Sequence, residues 1–407
     1  MRHKVLFVIP TMDRCGAEKQ LTLLATGLPK DKFDVKVALL TRGGPYMQRL
    51  LDAGISVELI GKNGKFSFRA YRKLKGVIKR YKPDVVHTWL FAANAYGRLA
   101  AFACKVPVVI CGERCVDLWK GFSHWCVDKY LEPRTDVYAV NSQGVVDFYI
   151  QRGIPAEKFV VIPNAVELPR DDSRLFTKQK LLEELNLPQN GVVESIGKQA
   201  IFEKIAIADS SRNPSFPWII GLVARLWPQK RIRDALWAAD QLKFSLLPFY
   251  LFIIGDGPEK ESLLRFRDDL QLNDRVCFLG ERDDVSRLIP CFDLLWNCSE
   301  YEGQSNSILE ALSFGVPVIA SDIPGNRELI TSGENGLLIS DFDGDETRRK
   351  TALSRETIRL LRPENHDLLK SWGEAGKTRI KRDFSVEKMI ESHVELYERL
   401  LSEKQSF

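Results

Sequence analysis

Along nearly the whole chain, short β-branched and aromatic runs alternate with stretches whose apolar residues recur at helical spacing. In the first part the runs are Val5–Pro10, Asp34–Leu40, Ser56–Ile60, Asp84–Trp89, Val106–Cys111, Asp136–Asn141 and Phe159–Pro163, separated by helical patterns such as Glu18–Leu28 and Ala92–Cys104. This rhythm predicts a mostly parallel sheet covered by helices on both faces. From Arg170 to Pro217 it lapses: polar residues dominate, and the clearest pattern is a helix at Thr177–Leu185. It resumes with Trp218–Ala224, Phe249–Gly255, Arg275–Gly280, Asp293–Ser299, Val316–Asp322 and Gly336–Ser340. The tail from about Pro363 to Leu401 reads as helical throughout and ends in an amphipathic helix, Val386–Leu401. The pattern therefore predicts an α/β domain over 1–168, a linker or surface insertion over 169–217, and a second α/β domain over 218–383. A C-terminal helix over 384–407 is expected to return toward the first domain. Two such domains imply a cleft, with ligands outside the carboxyl ends of the strands.

Length agrees, since 407 residues exceed the ~250–300 at which one hydrophobic core stops growing. The formal charge of +5 is too small to mark a nucleic-acid binder, and none is expected. Hydrophobic content of 44% with 28% charged residues excludes a disordered, collagen-like or coiled-coil chain. Eight cysteines at 15, 104, 111, 115, 126, 277, 291 and 298 form no CxxC pair, so neither a metal framework nor a disulfide scaffold is indicated. The start, MRHKVLFVIPTMDRCG, reads as a first strand rather than a signal peptide, and no stretch approaches the ~20 apolar residues of a membrane span. A cytoplasmic setting is the expectation.

The densest candidate chemistry is Tyr301-Glu302-Gly303-Gln304-Ser305-Asn306-Ser307-Ile308-Leu309-Glu310, which sets two carboxylates across a strand–loop–helix junction. Ser305 or Asn306 suits an N-cap, and Ile308 with Leu312 supplies the buried helical face. Glu302 then lies in the loop and Glu310 in the helix's second turn. The helix start offers N–H groups to an anion, and acceptor-only carboxylates suit sugar hydroxyls. Upstream, Arg225 follows the strand Gly221-Leu222-Val223-Ala224, and Lys230 stands five residues further on. Arg as a fork and Lys as a point charge fit a diphosphate. Gly255-Asp256-Gly257-Pro258 is a glycine-rich strand end.

Together these segments resemble the retaining glycosyltransferases of family 4, whose fold is GT-B: two Rossmann-like α/β domains with parallel sheets facing across a cleft, plus C-terminal helices. Glu302 and Glu310 match the paired-glutamate motif, Arg225 and Lys230 the diphosphate pair, and Gly255–Pro258 the glycine-rich turn. Ala320-Ser321-Asp322 with Gly325 and Glu328 matches the segment that follows. Cys15-Gly16-Ala17-Glu18 is similar to a Gly-Gly-Ala-Glu loop, and Pro163-Asn164-Ala165-Val166-Glu167 to a Pro-Asn-Gly-Val-Asp segment. The resemblance implies metal-independent transfer, with retention, of a sugar from a nucleotide-sugar donor to a glycan or lipid-linked acceptor, in cell-surface polysaccharide or lipopolysaccharide biosynthesis. No cofactor is implied; the nucleotide-sugar is a substrate. In that scheme Glu310 binds the ribose, Glu302 a sugar hydroxyl, and the backbone of Gly303, Gln304, Ser305 and Asn306 the sugar and phosphate. Arg225 and Lys230 stabilise the leaving diphosphate, Gly16 and Gly257 permit close approach, and the base lies against Phe278–Arg282.

Departures accompany the match. Where the family often carries a His after the Pro107–Cys111 strand, this chain has Gly112-Glu113-Arg114. Glu113 or Arg114 then touches sugar or acceptor, or forms a structural salt bridge. His87, at the end of another strand, is a candidate for the catalytic or acceptor side, against a structural role. Asp341-Phe342-Asp343 fits a DxD metal site superficially, but a solvated loop is the better reading and no metal is expected. Between Lys62 and Lys82 stand nine basic residues and no acidic one, with Tyr71, Leu74, Val77, Ile78 and Tyr81 at helical spacing. That is a solvated helix face or a dock for an anionic membrane. Trp119, Phe122 and Trp125 line an acceptor pocket or belong to the core. Competing functions are a nucleotide-sugar epimerase or phosphorylase, and a non-catalytic nucleotide-sugar-binding subunit. An NAD-dependent oxidoreductase is disfavoured because Gly-x-Gly-x-x-Gly is missing after the first strand.

Overall fold

The computed structural model describes residues 2–169, 176–189, 217–245, 247–340 and 346–405. The chain divides into two compact units: Met1–Ala165 with Phe384–Phe407, and Val166–Asp383.

Unit 1 is built on a seven-stranded, all-parallel sheet: β1 (His3–Ile9), β2 (Phe33–Leu39), β3 (Ser56–Leu59), β4 (Val85–Trp89), β5 (Val108–Glu113), β6 (Val137–Val140) and β7 (Phe159–Val161). Its order is β3-β2-β1-β4-β5-β6-β7, so the winding reverses between β1 and β4. The two-residue alternation of a strand explains why β1 is apolar throughout. Val5, Phe7 and Ile9 enter one core cluster and Leu6 and Val8 another. The first cluster is covered by α1 (Gly16–Gly27), α2 (Tyr46–Asp52) and the C-terminal helix Val386–Gln405. The second is covered by α3 (Phe68–Tyr81) and α4 (Phe91–Ala103). Two further helices, α5 (Phe122–Leu131) and α6 (Gln143–Ile150), follow β5 and β6.

Unit 2 carries a six-stranded parallel sheet of β8 (Trp218–Val223), β9 (Phe249–Ile254), β10 (Val276–Gly280), β11 (Leu294–Asn297), β12 (Val318–Ser321) and β13 (Gly336–Ile339). The order β10-β9-β8-β11-β12-β13 reverses between β8 and β11. Its helices are α7 (Lys178–Glu184), α8 (Ile232–Leu242), α9 (Lys260–Asp269), α10 (Val285–Leu288), α11 (Asn306–Phe314), α12 (Pro324–Arg327), α13 (Glu346–Leu360) and α14 (His366–Asp383). The final helix, α15 (Val386–Gln405), belongs to unit 1. Both units are thus Rossmann-like, and each reversal opens a crevice at the carboxyl edge of its own sheet.

All thirteen strand expectations correspond to strands, with ends shifted by a few residues. The largest shift is in β5, which runs on through Gly112 and Glu113 because Glu113 is paired inside the fold rather than solvated. The expected helix at Thr177–Leu185 is α7, started by Thr177, whose hydroxyl accepts from Lys180 N. The rest of the 170–217 stretch lies outside the described residues apart from 176–189 and Pro217. The tail is helical but interrupted: α14 ends at Asp383 and α15 starts at Val386.

Helix α15 completes unit 1 although it is distant in sequence. Met389, Leu396, Tyr397, Leu400 and Leu401 are buried with Phe7, Phe33 and Val37. Leu396→Ala is therefore expected to destabilise unit 1 by about 2–5 kcal/mol, the usual cost of a buried leucine. Glu395→Ala on the exposed side should change stability by less than about 0.5 kcal/mol. Urea unfolding of the two variants checks this.

Candidate active site

In unit 2 the site is assembled at the reversal point between β8 and β11. The loop after β8 brings Lys230, and the loop between β11 and α11 brings Glu302; Lys230 Nζ lies 2.7 Å from Glu302 Oε1. The same oxygen accepts from Ser299 Oγ at 2.6 Å and Asn297 Nδ2 at 3.3 Å. The side chains are 13% and 10% exposed, so the pair is shielded. Burial pushes the Glu302 carboxyl up, but the Lys230 charge and these hydrogen bonds outweigh it and hold the group below the usual carboxylate range. Glu302 is thus a pre-formed carboxylate with its donors gathered on Oε1. Oε2 takes none of these bonds.

The loops around the pair are stitched together by backbone contact, which only glycine permits at two points. A Cβ on Gly257 would meet Leu226 O at 2.5 Å, and one on Gly325 would meet Gly303 O at 2.0 Å. Leu226 N donates to Asp256 O at 2.9 Å, and Glu300 N to Gln229 O at 2.8 Å. Four loops, following β8, β9, β11 and β12, therefore share one edge. Asn297 and Asn326 lock it from below: Asn297 Nδ2 donates to Ser305 Oγ at 3.0 Å, and Asn326 Nδ2 to Ser321 O at 3.0 Å. Ser305 is the N-cap residue of α11, but its hydroxyl faces Asn297 and Ser307 and does not cap the helix. The first-turn N–H groups are left without that capping oxygen, an arrangement suited to an anion.

The remaining site candidates of unit 2 fall into two groups. Gly303, Gln304, Ser305 and Asn306 form the turn into α11, with Gln304 Nε2 donating to Glu328 Oε2 at 3.2 Å. Glu310 lies in the second turn of α11, partly exposed. Arg225 is exposed on the loop after β8, its guanidinium 5.4 Å from the centroid of the Trp227 ring. Arg282 stands apart from the Lys230–Glu302 group in its side-chain partners: it grips Asp284 through two bonds of 2.7 Å and Glu184 at 3.0 Å. Its side chain is committed to that cluster with Arg287.

In unit 1, Gly16 opens α1 and is exposed. Of the two readings of His87, the structure gives the structural one and not the catalytic or acceptor one. His87 is 1% exposed and enclosed by Phe7, Trp89, His393 and Tyr397, with Nδ1 2.8 Å from Tyr397 Oη. Helix α15 covers the strand end that the sequence leaves open. Glu113 resolves toward the salt bridge: it is 1% exposed, and Lys120 Nζ lies 3.2 Å from Oε1. Lys120 also reaches Asp128 at 3.0 Å and Asp117 at 3.3 Å, and Arg98 holds Asp128 at 2.6 Å. Lys120, Arg98 and Asp128 were not visible in the sequence, since single charges in a loop or a helix look solvated. Asp341 and Asp343 lie outside the described residues, and among the described residues no cluster of His, Cys, Asp or Glu suits a metal ion.

Burial, opposed by Lys120 and Arg98 and reinforced by Asp117 and Asp128, pushes the Glu113 carboxyl up to about 7. A carboxyl with a raised folded pKa holds its proton longer than in the unfolded chain, so its contribution to stability is complete below its ordinary pKa. It falls as pH rises through 7. Glu113→Gln, which cannot ionise, should flatten that part of the stability–pH curve and gain relative to wild type above pH 7. Chemical denaturation across pH 5–8 checks this; parallel curves for the two proteins would refute it.

Comparison with known proteins supplies the family. The model for Glycosyltransferase Family 4 matches residues 15–170, and that for Glycosyl transferases group 1 matches residues 203–379. An Escherichia coli UDP-Gal:alpha-D-GlcNAc-diphosphoundecaprenol alpha-1,3-galactosyltransferase is 26% identical, over 91% of this chain and 90% of that protein. A Campylobacter jejuni N-acetylgalactosamine-N,N'-diacetylbacillosaminyl-diphospho-undecaprenol 4-alpha-N-acetylgalactosaminyltransferase is 25% identical, over 93% of this chain and 95% of that protein. Among solved structures, Anabaena HepE in complex with UDP-glucose superposes with a TM-score of 0.79 at 21% identity, covering 97% of this chain and 99% of that one. That last likeness speaks to the fold. The chain is a glycosyltransferase of GT-B architecture, whose residues 15–170 match the Glycosyltransferase Family 4 model and residues 203–379 the Glycosyl transferases group 1 model.

Proposed function

We propose that this enzyme transfers a sugar, with retention and without a metal ion, from a UDP-sugar to a lipid-diphosphate-linked glycan in cell-surface polysaccharide assembly. The observation that carries the reading is the shielded Lys230–Glu302 pair at the uncapped start of α11. Breaking a sugar–phosphate bond builds negative charge on the departing diphosphate, and a fixed cation near a helix start that Ser305 does not cap stabilises it without reorganisation. Lys230 and Arg225 serve the diphosphate, Glu302 a sugar hydroxyl through Oε2, and Glu310 the ribose. The choice of UDP is supported by the donor of the E. coli relative and the ligand of the Anabaena structure, and that of a lipid-diphosphate acceptor by the acceptors of the E. coli and C. jejuni relatives.

Lys230→Ala should lower transfer at least about a hundredfold. It should also destabilise unit 2, because Glu302 loses its buried partner. Glu310→Ala, on a partly exposed side chain, should raise KM for the donor with little change in stability. UDP release from a panel of UDP-sugars, with a diphosphate-linked acceptor and with or without EDTA, measures all of this. Full activity in either variant, or loss of activity with EDTA, would overturn the corresponding part.

The acceptor implies work at a membrane surface, and the reading includes docking through α3. No described helix is long and apolar enough to cross a membrane. Ala70, Leu74, Val77 and Ile78 bury one face of α3, while Arg69, Arg72, Lys73, Lys79 and Arg80 are exposed, as is Lys65 in the loop before it. Phe66 and Phe68, at its start, are 77% and 62% exposed. Trp119, before α5, and Phe122, its first residue, are 54% and 87% exposed, whereas Trp125 packs on Tyr149. Exposed rings beside a cationic face suit an anionic leaflet, at up to roughly 1 kcal/mol per basic residue near the surface. Co-sedimentation with phosphatidylglycerol-containing vesicles at low salt should exceed that with pure phosphatidylcholine. Reversing Arg69, Arg72 and Lys73 to Glu should abolish the difference; equal sedimentation of the wild type with both vesicles would refute docking.

A further inference from the structure

At the carboxyl edge of the sheet in unit 1, four neighbouring strands, β4 to β7, lead into Trp89, Arg114, Asn141 and Asn164. Arg114 is 8% exposed, and Asn141 and Asn164 are 1% and 4% exposed. The Arg114 guanidinium lies 4.6 Å from the centroid of the Trp89 ring, and its NH2 donates to Asn164 Oδ1. Asn141 Nδ2 donates to Arg114 O at 3.2 Å. These partners are all neutral. A guanidinium has five N–H donors, and Nε here has no partner. Burial is the one influence on its acidity, pushing it down to about 9 with no neighbouring carboxylate to offset the effect.

That is anomalous within its own unit. Arg98 is fully buried against Asp128, and Lys120 sits among Glu113, Asp117 and Asp128. The fold neutralises two buried cations and leaves a third, one residue beyond Glu113, without a carboxylate. Around it, further buried polar atoms lack partners: Trp89 Nε1, His87 Nε2, His393 Nε2 and Asn141 Oδ1. They are contiguous, with the His87 ring 5.3 Å from Trp89 and 5.9 Å from His393. Together with Arg114 Nε they are five of the seven such atoms among the described residues. Of these atoms Arg114 Nε and Trp89 Nε1 are donors that call for an acceptor, whereas Asn141 Oδ1 and His393 Nε2, whose Nδ1 faces Met389 O, are acceptors; a buried cation calls for an anion. The start of α1 adjoins the same loop, because Gln20 bonds both Ala165 N at 2.9 Å and Ala165 O at 2.7 Å.

The geometry points to an anion site in unit 1 itself, centred on the Arg114 guanidinium with Asn164 and Asn141 beside it, that takes a phosphoryl group. The choice of phosphoryl over carboxylate rests on the proposed function above. The phosphoryl group belongs either to the donor or to the diphosphate of the acceptor; both offer paired oxygens to the planar guanidinium fork.

Equilibrium dialysis of radiolabelled pyrophosphate against the full chain tests the site without reference to turnover. In an Arg225→Ala/Lys230→Ala background, which removes the diphosphate contacts proposed in unit 2, binding should persist. Adding Arg114→Gln should weaken it by about tenfold to a hundredfold. Arg114→Lys keeps the charge but loses the fork, and should weaken binding less; it carries the test should circular dichroism show that the glutamine variant does not fold. No binding in the background protein, or equal binding by the Arg114 variants, overturns the site. In the otherwise wild-type enzyme, a raised KM for the acceptor alone assigns the phosphoryl group to the acceptor. A raised KM for the donor alone assigns it to the donor, and no change in either overturns a role in substrate binding. Absence of turnover with every UDP-sugar would count against the proposed function, while the dialysis result would still decide the anion site.

Discussion

Charge brought out of water must be matched, and in this enzyme the matching determines where function is placed. At the reversal point of unit 2 the matching is local and polarised. Lys230, Ser299 and Asn297 all serve one oxygen of Glu302. A carboxylate neutralised from one side stays ionised inside the fold and keeps its other oxygen for a hydroxyl. The same contact fixes the Lys230 ammonium, so in the proposed function one ion pair would position both a sugar contact and a diphosphate contact. In water the pair would be worth little; at about one-tenth exposure it is shielded enough to hold its geometry.

The ion network of unit 1 solves a different problem. Burial is the main reason the Glu113 carboxyl rises although a lysine lies 3.2 Å away, and Asp117 and Asp128 add to it against Lys120 and Arg98. Phe91, Trp125 and Tyr149 present ring faces to Lys120 at 5.0, 5.2 and 4.8 Å, which adds favourable cation–π contact and excludes water. The network ties β5, α4 and α5 together around the segment that carries Arg114. A closed, nearly balanced network is a structural brace. An unbalanced cation beside it has a different purpose.

Much of the fold was legible because buried parallel strands must be apolar on both faces, and runs such as Val5–Ile9 or Phe249–Ile254 have few alternatives. The motif loops were legible for a related reason: Gly257 and Gly325 stand where another backbone comes within reach of their absent Cβ atoms, so their spacing survives as pattern. What stayed hidden depends on contacts distant in sequence. His87 looks open until α15, some three hundred residues later, lays Tyr397 against it. Arg282 looks available to a base until Glu184 and Asp284 are seen to hold it. Glu113 looks like a replacement ligand until Lys120 closes on it. A one-dimensional pattern records burial and turns well, but it does not record which charge meets which.

The two units therefore place their chemistry on equivalent ground by different means. Each has a parallel sheet whose winding reverses at its first strand, and each gathers polar side chains at that carboxyl edge. In unit 2 the gathered groups satisfy one another, leaving a carboxylate oxygen and helix N–H groups to work on a ligand. In unit 1 the anionic groups are drawn off into the brace around Lys120, so the edge retains Arg114, with the unpartnered donors Arg114 Nε and Trp89 Nε1. Such an imbalance costs stability in the free protein, since a buried guanidinium without an anion is poorly solvated. It persists where a ligand supplies the missing charge, because binding then recovers what folding alone leaves unsatisfied.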